Sequence, residues 1–397
     1  MENFEFYTPT RVLFGKGQEE NVGKLIREFG GTKVLVHYGG SSAKKSGLLD
    51  RVKAYLEAEG LEYVELGGVK ANPEIALVRD GVALARKENV DFVLAVGGGS
   101  VIDSSKAIAN GAANPEVEDP WDFSMKKAVP VRTLPKGVIL TLAAAGSEMS
   151  ESCVVTNPET NLKRGYNSRL NRVQFAIENP ELTFTVSPYQ TACGAVDICM
   201  HTMERFFSPG ADTDLTDALA EAVMRTIIKC GKEAYLDPEN YEARGNMMWA
   251  SSLAHNDLTG SGRKWFLPVH QMEHELSGLH TDITHGAGLA ALWCSWARYV
   301  YKYSLPRFVR WAVNVWGVHE DYEHPEKTAL EGIRRQEDYY REINMPISIR
   351  QLGIKEEELE TLAEMCCYWH TRVLPGDKPL DYEDLLEIYR MSWELGE

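Results

Sequence analysis

Four side chains that can ligate a divalent metal occur at helical spacings in the second half of the sequence. Asp197 and His201 are four residues apart in one segment of helical periodicity, so both should project from the same face of a helix. His270 lies in a second such segment, and His285 begins the next apolar helical run. Three imidazoles and one carboxylate suit Zn(II) or Fe(II). The pattern predicts a site for one divalent metal.

Two further histidines lie in the same stretch. His274 follows His270 by four residues, and His280 is a competing candidate for the fourth ligand. A single histidine is more often a core or capping residue than a ligand. The metal prediction therefore depends on the whole set and not on any one member.

The composition indicates a soluble two-domain protein. The chain has 397 residues, of which 44% are hydrophobic and 25% charged, and this length exceeds what one core usually supports. The formal net charge of −16 disfavours nucleic acid and anionic membranes as partners, because both bind basic surfaces. No basic leader with an apolar stretch and no uncharged span of membrane length is present, so we expect a cytoplasmic protein. Seven scattered cysteines predict reduced thiols and no zinc ribbon.

The first half alternates short β-branched runs with helical stretches. Strand-like segments such as KVLVHY and DFVLAVGGG are separated by helical segments such as EIALVRDGVALARKENV, and VQFAIE would complete the domain. This pattern predicts a Rossmann-like α/β domain over residues 1–186, with a parallel sheet and a nucleotide site at the carboxyl ends of its strands. From residue 187 to 397 the segments have helical periodicity, which predicts an all-helical metal-binding domain. The predicted helices cover 188–207, 213–236, 240–258, 268–277, 284–303, 305–316, 325–343, 355–370 and 381–394.

A glycine-rich turn follows the apolar strand FVLAV. Gly97, Gly98, Gly99 and Ser100 precede a helix that carries Asp103. Glycines let a pyrophosphate approach the backbone, and the amino end of a helix stabilises its charge. The turn is neither GxGxxG nor a P-loop, and a triple glycine alone is often only a tight turn. Its position at a strand end favours a phosphate site.

The end of the strand KVLVHY bears on the choice of coenzyme. An NAD-specific site normally places an acidic residue there for the ribose 2′-hydroxyl. This sequence has Gly39, Gly40, Ser41 and Ser42 instead, followed by two lysines at 44 and 45. Amides, hydroxyls and ammonium groups suit an anion. We therefore predict that NADP(H) is preferred over NAD(H), although a simple loop with a solvated helix face would give the same pattern.

Several motifs together resemble a known family. The segments FEFYTPTRVLFGKG, AVGGGSVIDSSKAIA, TLAAAGSEMS, GAVDICMHTMERFF, HQMEHELSG and DITHGAGLA follow in order along the chain. They are similar to those of the iron-containing (group III, metal-dependent) alcohol dehydrogenases, in particular the branch of NADPH-dependent butanol dehydrogenases and aldehyde reductases. The resemblance implies metal ligation by Asp197, His201, His270 and His285, and it favours His285 over His280 because Thr-His-Gly-Ala matches the family motif.

The resemblance also implies further site residues. His274 matches a non-ligand histidine near the nicotinamide, where it would relay a proton or only orient the site. Additional cofactor contacts are implied at Asn72, Thr141, Leu142, Ser150 and Lys163. The chain departs from the family where Leu142 replaces a frequent second threonine and where Ala145 precedes Gly146 in place of a threonine.

The expected activity is reversible hydride transfer between a primary alcohol, or its aldehyde, and a nicotinamide coenzyme, with a metal polarising the substrate oxygen. A homodimer is expected from the family. One alternative is an enzyme like dehydroquinate synthase or glycerol-1-phosphate dehydrogenase, which would use basic residues such as Arg205, Arg263 and Lys264 on a phosphorylated substrate. Others are a metal-dependent hydrolase with Glu273 or Glu275 as its base, and a non-catalytic metal-binding or nucleotide-binding protein.

Overall fold

The computed structural model describes residues 1–210 and 213–395 and divides the chain into two compact units. The first unit is Tyr7–Val186, and the second comprises the chain from Ser187 onward together with Met1–Phe6. The first is an α/β unit with a parallel sheet and the second is helical, so the predicted fold class is confirmed. Among the described residues, none of the helices combines the length and apolar character needed to cross a bilayer.

A parallel sheet forms the centre of the first unit. Its described strands have the order β1-β8-β5-β4-β2-β3, and every neighbouring pair is parallel. A separate antiparallel hairpin, β6-β7, was not among the sequence predictions. The strands are β1 Arg11–Phe14, β2 Lys33–Tyr38, β3 Glu62–Leu66, β4 Phe92–Gly97, β5 Lys136–Leu140, β6 Ser152–Asn157, β7 Leu162–Asn167 and β8 Phe175–Glu178.

Alternate residues of the central strands enter two separate cores, one on each face of the sheet. Val34 and Val36 of β2 belong to a cluster with the helices at 22–28 and 48–58, whereas Leu35 between them belongs to a cluster with the helices at 75–87 and 99–113. Side chains of a strand alternate between faces, so a strand covered on both sides is apolar throughout. The helices of this unit are α1 Val22–Glu28, α2 Ser42–Lys45, α3 Leu48–Ala58, α4 Ile75–Lys87, α5 Gly99–Ala113 and α6 Trp121–Ser124.

The strand order reverses between β2 and β4. After β2 the chain adds β3 on one side and then crosses to add β4 on the other. Connections leave such a pair of strands in opposite directions, which opens a crevice at their carboxyl ends, and ligands of open α/β sheets bind there. Tyr38 pairs with Val96 at these ends. The two glycine-rich turns picked out from the sequence begin at Gly39 and Gly97, and therefore flank the crevice.

The second unit is built from helices around a buried central helix. Helix α7 is buried over nearly its whole length, which is typical of a helix surrounded by others. It is capped by the Ser187 side chain, which accepts a hydrogen bond from the amide of Gln190, and proline opens its first turn. The helices are α7 Pro188–Phe206, α8 Asp214–Leu236, α9 Tyr241–Ala254, α10 Pro268–Leu279, α11 His285–Val300, α12 Leu305–Asn314, α13 Pro325–Glu342, α14 Leu359–Cys366 and α15 Tyr382–Glu394.

Two predicted helices were too long. Helix α9 ends at Ala254 instead of residue 258, because the chain turns through Asp257 in a left-handed conformation with φ of 76°. Helix α14 was predicted over 355–370 but ends at Cys366, and the three residues from Tyr368 to His370 all have positive φ. The guanidinium of Arg372 donates to the carbonyl oxygen of Cys366 at 2.6 Å and stacks on the ring of Tyr368, which holds this irregular turn.

Candidate active site

The four predicted metal ligands converge on one carboxylate oxygen. Oδ1 of Asp197 lies 3.3 Å from Nε2 of His201, 3.6 Å from Nε2 of His270 and 3.9 Å from Nε2 of His285. Ligands at about 2.1 Å from a tetrahedral metal are separated from one another by about 3.4 Å. The ligand atoms of Asp197, His201 and His270 all lie within 4.8 Å of one another, so these three side chains could share one ion, and His285 lies beside them on the same oxygen of Asp197.

Hydrogen bonding supports the fit to a metal. Asp197 and His270 are 4% and 3% exposed, and within residues 1–210 and 213–395 neither Oδ1 of Asp197 nor Nε2 of His270 has a hydrogen-bond partner. Buried polar atoms without partners are rare because each costs about 1–3 kcal/mol. A divalent cation between these two atoms would satisfy both. The donor set of one carboxylate and three imidazoles is also of the type that Zn(II) and Fe(II) accept.

The protonation of two of the imidazoles differs because their surroundings differ. Burial, together with the neighbouring His255, lowers the pKa of His201 well below its ordinary value, so this ring is neutral and has a free lone pair. Burial also acts to lower the pKa of His270, but Glu204 and Asp197 outweigh it and raise the pKa to about 9. A metal must therefore displace a proton from His270.

Two buried glutamates contact the predicted ligands His270 and His285 at the ring nitrogen that faces away from Asp197. Glu204 is hydrogen-bonded to Nδ1 of His270, and Glu273 is hydrogen-bonded to Nδ1 of His285. The sequence analysis missed Glu204 and considered Glu273 only as the base of a hydrolase. The available signal was spacing, because Glu204 follows His201 by three residues and Glu273 follows His270 by three.

Two non-ligand histidines lie beside the centre. The ring of His274 lies 5.8 Å from that of His285, between centroids, and both residues are partly exposed. The ring of His255 stacks on His201 with centroids 3.9 Å apart, and it too is partly exposed. Asp197, His201 and His270 are deeply buried, so the centre is partly accessible at His274, His285 and His255. His255 was not predicted, since nothing in its local sequence marks it.

In the first unit, the glycine-rich turn opens helix α5 as predicted. Gly97 ends β4, Gly98 is the N-cap residue, and α5 starts at Gly99. Ser100 therefore lies in the first turn, where free amides and the positive end of the helix dipole favour an anion. At Gly98 a Cβ atom would lie 3.0 Å from Cβ of Leu142, so the absent side chain lets the two loops approach each other.

The neighbouring strand contributes Thr141 and Leu142 to the same edge. The amide of Thr141 donates to the carbonyl oxygen of Gly97 at 3.1 Å, and β5 pairs with β4 up to this point. Gly39 is also near, because a Cβ atom there would lie 3.8 Å from the side chain of Val101 in the first turn of α5. Ser41 and Ser42 follow at the exposed start of α2. The structure thus brings Gly39, Gly97–Gly99 and Thr141–Leu142 to one edge of the sheet.

The remaining predicted cofactor residues have partners within the unit. Asp103 accepts a hydrogen bond from the hydroxyl of Ser147 at 2.5 Å and one from the amide of Val154 at 2.9 Å. Nζ of the buried Lys106 donates to Ser147 at 2.8 Å and lies 3.3 Å from Oγ of Ser150. These bonds tie α5 to the loop before β6. Asp103 and Ser150 therefore hold the loop before β6 against α5.

Asn72 and Lys163 form a buried pair. Nζ of Lys163 donates to Oδ1 of Asn72 at 3.0 Å, and both residues are at most 5% exposed. Asn72 has φ of 54°, a left-handed conformation that asparagine tolerates better than most residues. A buried ammonium is costly unless it has polar partners. The pair brings a positive charge to the loop between β3 and α4.

Two family models match the chain, one over the first unit and one over the second. Residues 9–180 match the family model described as iron-containing alcohol dehydrogenase, and residues 191–393 match that of the C-terminal region of the Fe-containing alcohol dehydrogenase family. The chain belongs to the iron-containing alcohol dehydrogenase family. The resemblance inferred from the sequence motifs is therefore confirmed.

Individual members of the iron-containing alcohol dehydrogenase family align over nearly the whole chain. NADH-dependent butanol dehydrogenase A of Clostridium acetobutylicum is 41% identical, over 99% of this chain and all of the relative. The NADPH-dependent aldehyde reductase YqhD of Escherichia coli is 33% identical, over 91% of this chain and 92% of the relative. The crystal structure of NADH-dependent butanol dehydrogenase A from Thermotoga maritima superposes with a TM-score of 0.94 at 36% identity, covering 99% of each chain.

Within this iron-containing alcohol dehydrogenase, the competing assignments lose support. Nε2 of His280 is bound to Glu358 at 2.8 Å, so His280 is engaged elsewhere and His285 faces the centre. Glu273 is fully buried and bonded to His285, and Glu275 is 1% exposed, so neither is available to activate water as in a hydrolase. Arg205 stacks on Trp265, and Arg263 is bonded to Asp217, so these two arginines are not free to bind a substrate phosphate.

Proposed function

We propose that this protein interconverts primary alcohols such as butanol and the corresponding aldehydes, with a nicotinamide coenzyme as the hydride carrier. The observation that carries the proposal is the convergence of three imidazole Nε2 atoms within 3.9 Å of one oxygen of Asp197 in a chain of this family. Relatives whose names specify butanol dehydrogenase or aldehyde reductase support the substrate class.

The reaction converts an aldehyde, a reduced coenzyme and one proton into an alcohol and the oxidised coenzyme. The nicotinamide supplies or accepts the hydride, and a divalent metal at the centre supplies a Lewis acid for the substrate oxygen. We assign Asp197, His201, His270 and His285 to holding that metal. The buried side of the centre excludes water, whereas the partly exposed side at His285 admits the substrate.

We assign the proton step to His274. The residue is partly exposed and lies beside His285, and an imidazole exchanges protons near neutral pH. In the reductive direction His274 would donate a proton toward the alkoxide oxygen, and in the oxidative direction it would accept one from the alcohol. A role limited to orienting the site would leave the rate much less affected by its removal.

We propose binding of the coenzyme by the crevice edge of the sheet. Its residues are Gly39, Gly40, Ser41, Ser42, Asn72, Gly97, Gly98, Gly99, Ser100, Asp103, Thr141, Leu142, Ser150 and Lys163. The turn at Gly97–Ser100 would hold the pyrophosphate, because it joins flexible backbone to the amino end of α5.

We further propose that NADP(H) is preferred over NAD(H). After β2 the first carboxylate in the chain is Asp50, well past the turn, and Lys44 and Lys45 lie between. Four relatives of 38–41% identity have names that specify NADH, and the aldehyde reductase of 33% identity has a name that specifies NADPH, so the proposal depends on the turn after β2 and is tested by direct measurement. We expect kcat/KM with NADPH to exceed kcat/KM with NADH for the same aldehyde. A higher value with NADH would overturn this preference without affecting the proposed reaction.

The proposed metal is one Fe(II) or Zn(II) per chain. Histidine and aspartate serve both ions, and the family description favours iron. Elemental analysis of protein purified without added metal should give close to one equivalent. Two equivalents per chain, or none that is retained, would contradict this assignment.

The proposed reaction is tested by following oxidation of the reduced coenzyme with butanal. The wild-type protein should turn over, and Asp197→Ala should lose both bound metal and turnover while still binding NADPH, as measured by quenching of protein fluorescence. Asp282→Ala is a suitable control, because it removes an exposed carboxylate three residues before His285. Undiminished aldehyde reduction by Asp197→Ala would refute the metal-dependent mechanism.

We also propose that the protein is a cytoplasmic homodimer. All seven cysteines are unpaired and buried, which suits a reducing compartment. Strand β1 lies at an edge of the sheet, where an unpaired strand is available to a second copy. Light scattering should give twice the chain mass, and cell fractionation should recover the protein with soluble cytoplasmic markers. A monomer in the first measurement, or a membrane or secreted fraction in the second, would contradict the corresponding proposal.

A further inference from the structure

Two glutamates each connect one helix of the centre to the next by a hydrogen bond to a ligand histidine. Helix α7 carries the ligand His201 and, three residues later, Glu204, which bonds to Nδ1 of His270 on α10. Helix α10 carries His270 and, three residues later, Glu273, which bonds to Nδ1 of His285 at the start of α11. Helix α7 thus supplies two ligands and holds His270 of α10, and α10 supplies one ligand and holds His285 of α11.

These two glutamates are deeply buried. Glu204 is 1% exposed and Glu273 is 0% exposed. An ionised carboxylate is costly to remove from water unless it is paired and hydrogen-bonded. In both cases the imidazole provides such a partner, and in turn the carboxylate determines which ring nitrogen carries the proton.

Glu204 has a second task, at the amino end of α10. Its Oε1 accepts hydrogen bonds from the amide of Val269 at 2.6 Å and from that of His270 at 3.4 Å. The N-cap residue of this helix, Leu267, has no side chain that can cap it. Glu204 therefore fixes the backbone that bears His270 as well as the ring itself.

The contacts at Nδ1 have a direct consequence for Nε2. A carboxylate can only accept, so Nδ1 of His270 and of His285 must carry the hydrogen. In a neutral imidazole the lone pair is then on Nε2, the atom that faces Asp197. His201 lacks this arrangement, because its Nδ1 lies 3.4 Å from Nη1 of Arg205. Two of the three imidazoles are therefore oriented by carboxylates.

A glycine in the next helix makes room for Glu273. If Gly288 of α11 had a Cβ atom, that atom would lie 2.8 Å from Cγ of Glu273 and 3.1 Å from its Oε1. Contacts this short would force the carboxylate to move. The packing of α11 on α10 is thus compatible only with a very small residue opposite Glu273.

We propose that Glu204 and Glu273 are positioning residues that set how tightly and in which geometry the protein holds its divalent metal, acting through His270 and His285. The inference rests on the proposed metal centre and extends it to residues that do not touch the metal. Carboxylates behind ligand histidines raise the basicity of the ring and fix its orientation, and their loss typically weakens metal binding by about 10–100-fold.

The two residues should differ in importance. In Glu204→Gln the new amide cannot accept from both the helix amides and His270 through its nitrogen, so either the cap of α10 or the tautomer of His270 is lost. In Glu273→Gln the amide oxygen can still accept from Nδ1 of His285. We therefore expect metal affinity to fall by about 100-fold in Glu204→Gln and by about 10-fold in Glu273→Gln.

The experiment is a Zn²⁺ titration of metal-free full-length protein in competition with a chromophoric chelator. Glu204→Asp, which keeps the charge and both acceptor oxygens, should bind Zn²⁺ more tightly than Glu204→Gln. Glu221→Gln is the matched control, because Glu221 is a buried carboxylate of the same unit that bonds to Arg310 and Asn314. It should retain wild-type affinity even if it lowers stability. Circular dichroism and NADPH binding report whether each variant is folded.

The outcomes separate this inference from the proposed function. If wild-type protein binds one Zn²⁺ in a manner that Asp197→Ala abolishes, while folded Glu204→Gln and Glu273→Gln bind within twofold of wild type, the metal centre stands and the positioning role is wrong. An equal loss of affinity in Glu221→Gln would also overturn it, since the effect would then be general destabilisation. If the wild type shows no binding that depends on Asp197, both proposals fail.

Discussion

A single methyl group at Gly286 should move apart two helices that carry proposed metal ligands. Gly286 is the second residue of α11, directly after His285, and it lies against the backbone of α7. A Cβ atom at this position would lie 2.2 Å from the carbonyl oxygen of Cys193 and 2.7 Å from its carbonyl carbon. Cys193 is one helical turn before Asp197. The substitution Gly286→Ala therefore perturbs the spacing between two ligand-bearing elements and leaves every ligand in place.

The structure gives the size of the displacement. Real Cβ atoms essentially never come closer than 3.0 Å to such atoms, so α11 must move away from α7 by at least the difference between 3.0 and 2.2 Å, which is 0.8 Å. Nε2 of His285 is already 3.9 Å from Oδ1 of Asp197. Two ligands of one metal can be separated by at most about 4.2 Å, twice a bond of about 2.1 Å. A shift of this size along the line between them would remove His285 from the coordination sphere.

The energetic consequence has two parts. Overpacking a buried helix contact costs about 1–3 kcal/mol of folding free energy. Structural zinc sites with four ligands bind with about 10–16 kcal/mol, so losing one ligand should cost about 3 kcal/mol of binding free energy. This corresponds to a metal affinity on the order of 100-fold weaker. Metal binding should therefore lose at least as much free energy as folding.

The assay compares Zn²⁺ affinity with the free energy of unfolding in urea for Gly286→Ala and a matched control. Gly332→Ala is suitable, because its Cβ atom would lie 2.6 Å from Ala312 at the α12–α13 contact. It should lose a similar amount of stability without a change in metal affinity. If Gly286→Ala binds Zn²⁺ as tightly as the wild type, or if Gly332→Ala weakens Zn²⁺ binding equally, the spacing between α7 and α11 does not determine the metal affinity.

Three further predictions concern single side chains. Burial lowers the pKa of His37 in the folded protein to about 4, so between pH 6.5 and 4 the unfolded chain binds more protons than the folded chain. The free energy of unfolding should therefore fall by about 3 kcal/mol as the pH is lowered from 6.5 to 4. His37→Gln should lack this loss when its unfolding in urea is measured at both pH values. His274→Ala should lower kcat by about 10²–10⁴-fold with unchanged Zn²⁺ affinity, and His255→Phe, which keeps a ring on His201, should keep kcat within severalfold; equal losses would deny His274 a specific role. Replacing Lys44 and Lys45 by alanine should raise KM for NADPH about tenfold but not KM for NADH, and a parallel rise would refute their contact with the 2′-phosphate.

The sequence predicted those features that depend on local periodicity. The β2 and β4 strands are continuous apolar runs and the helices that follow them have helical periodicity, so the parallel sheet and its phosphate turn could be inferred. Asp197 and His201 were recognisable because a four-residue spacing places both on one face of a helix. The glycines at 97–99 indicated a turn, because the conformational freedom of glycine is a property of the residue itself and can be read from the local sequence.

The features that the sequence did not reveal depend on packing between elements. Glu204 and Glu273 acquire their roles only because α10 and α11 pack against the preceding ligand helix, and a buried glutamate looks like any other in a helical pattern. The stacking of His255 on His201 likewise requires α9 to end beside α7. The early end of α14 depends on Arg372 folding back onto Tyr368, a contact that helix propensity does not contain. Local patterns can identify candidate ligands, but not the residues that hold them.

The buried carboxylates around the centre would be stabilised by a bound cation. Asp197, Glu204 and Glu273 are each at most 4% exposed, and they surround the same group of imidazoles. Carboxylates this close together repel one another in a medium of low dielectric constant, and two positive charges at Oδ1 of Asp197 would offset most of that repulsion. The raised pKa of His270 reflects the same field, because Glu204 and Asp197 outweigh the effect of burial and attract a proton there as they would attract a metal. Since the proposed ligands come from three helices, one ion bound to them would join α7, α10 and α11, and metal binding would thereby be coupled to the stability of the helical unit.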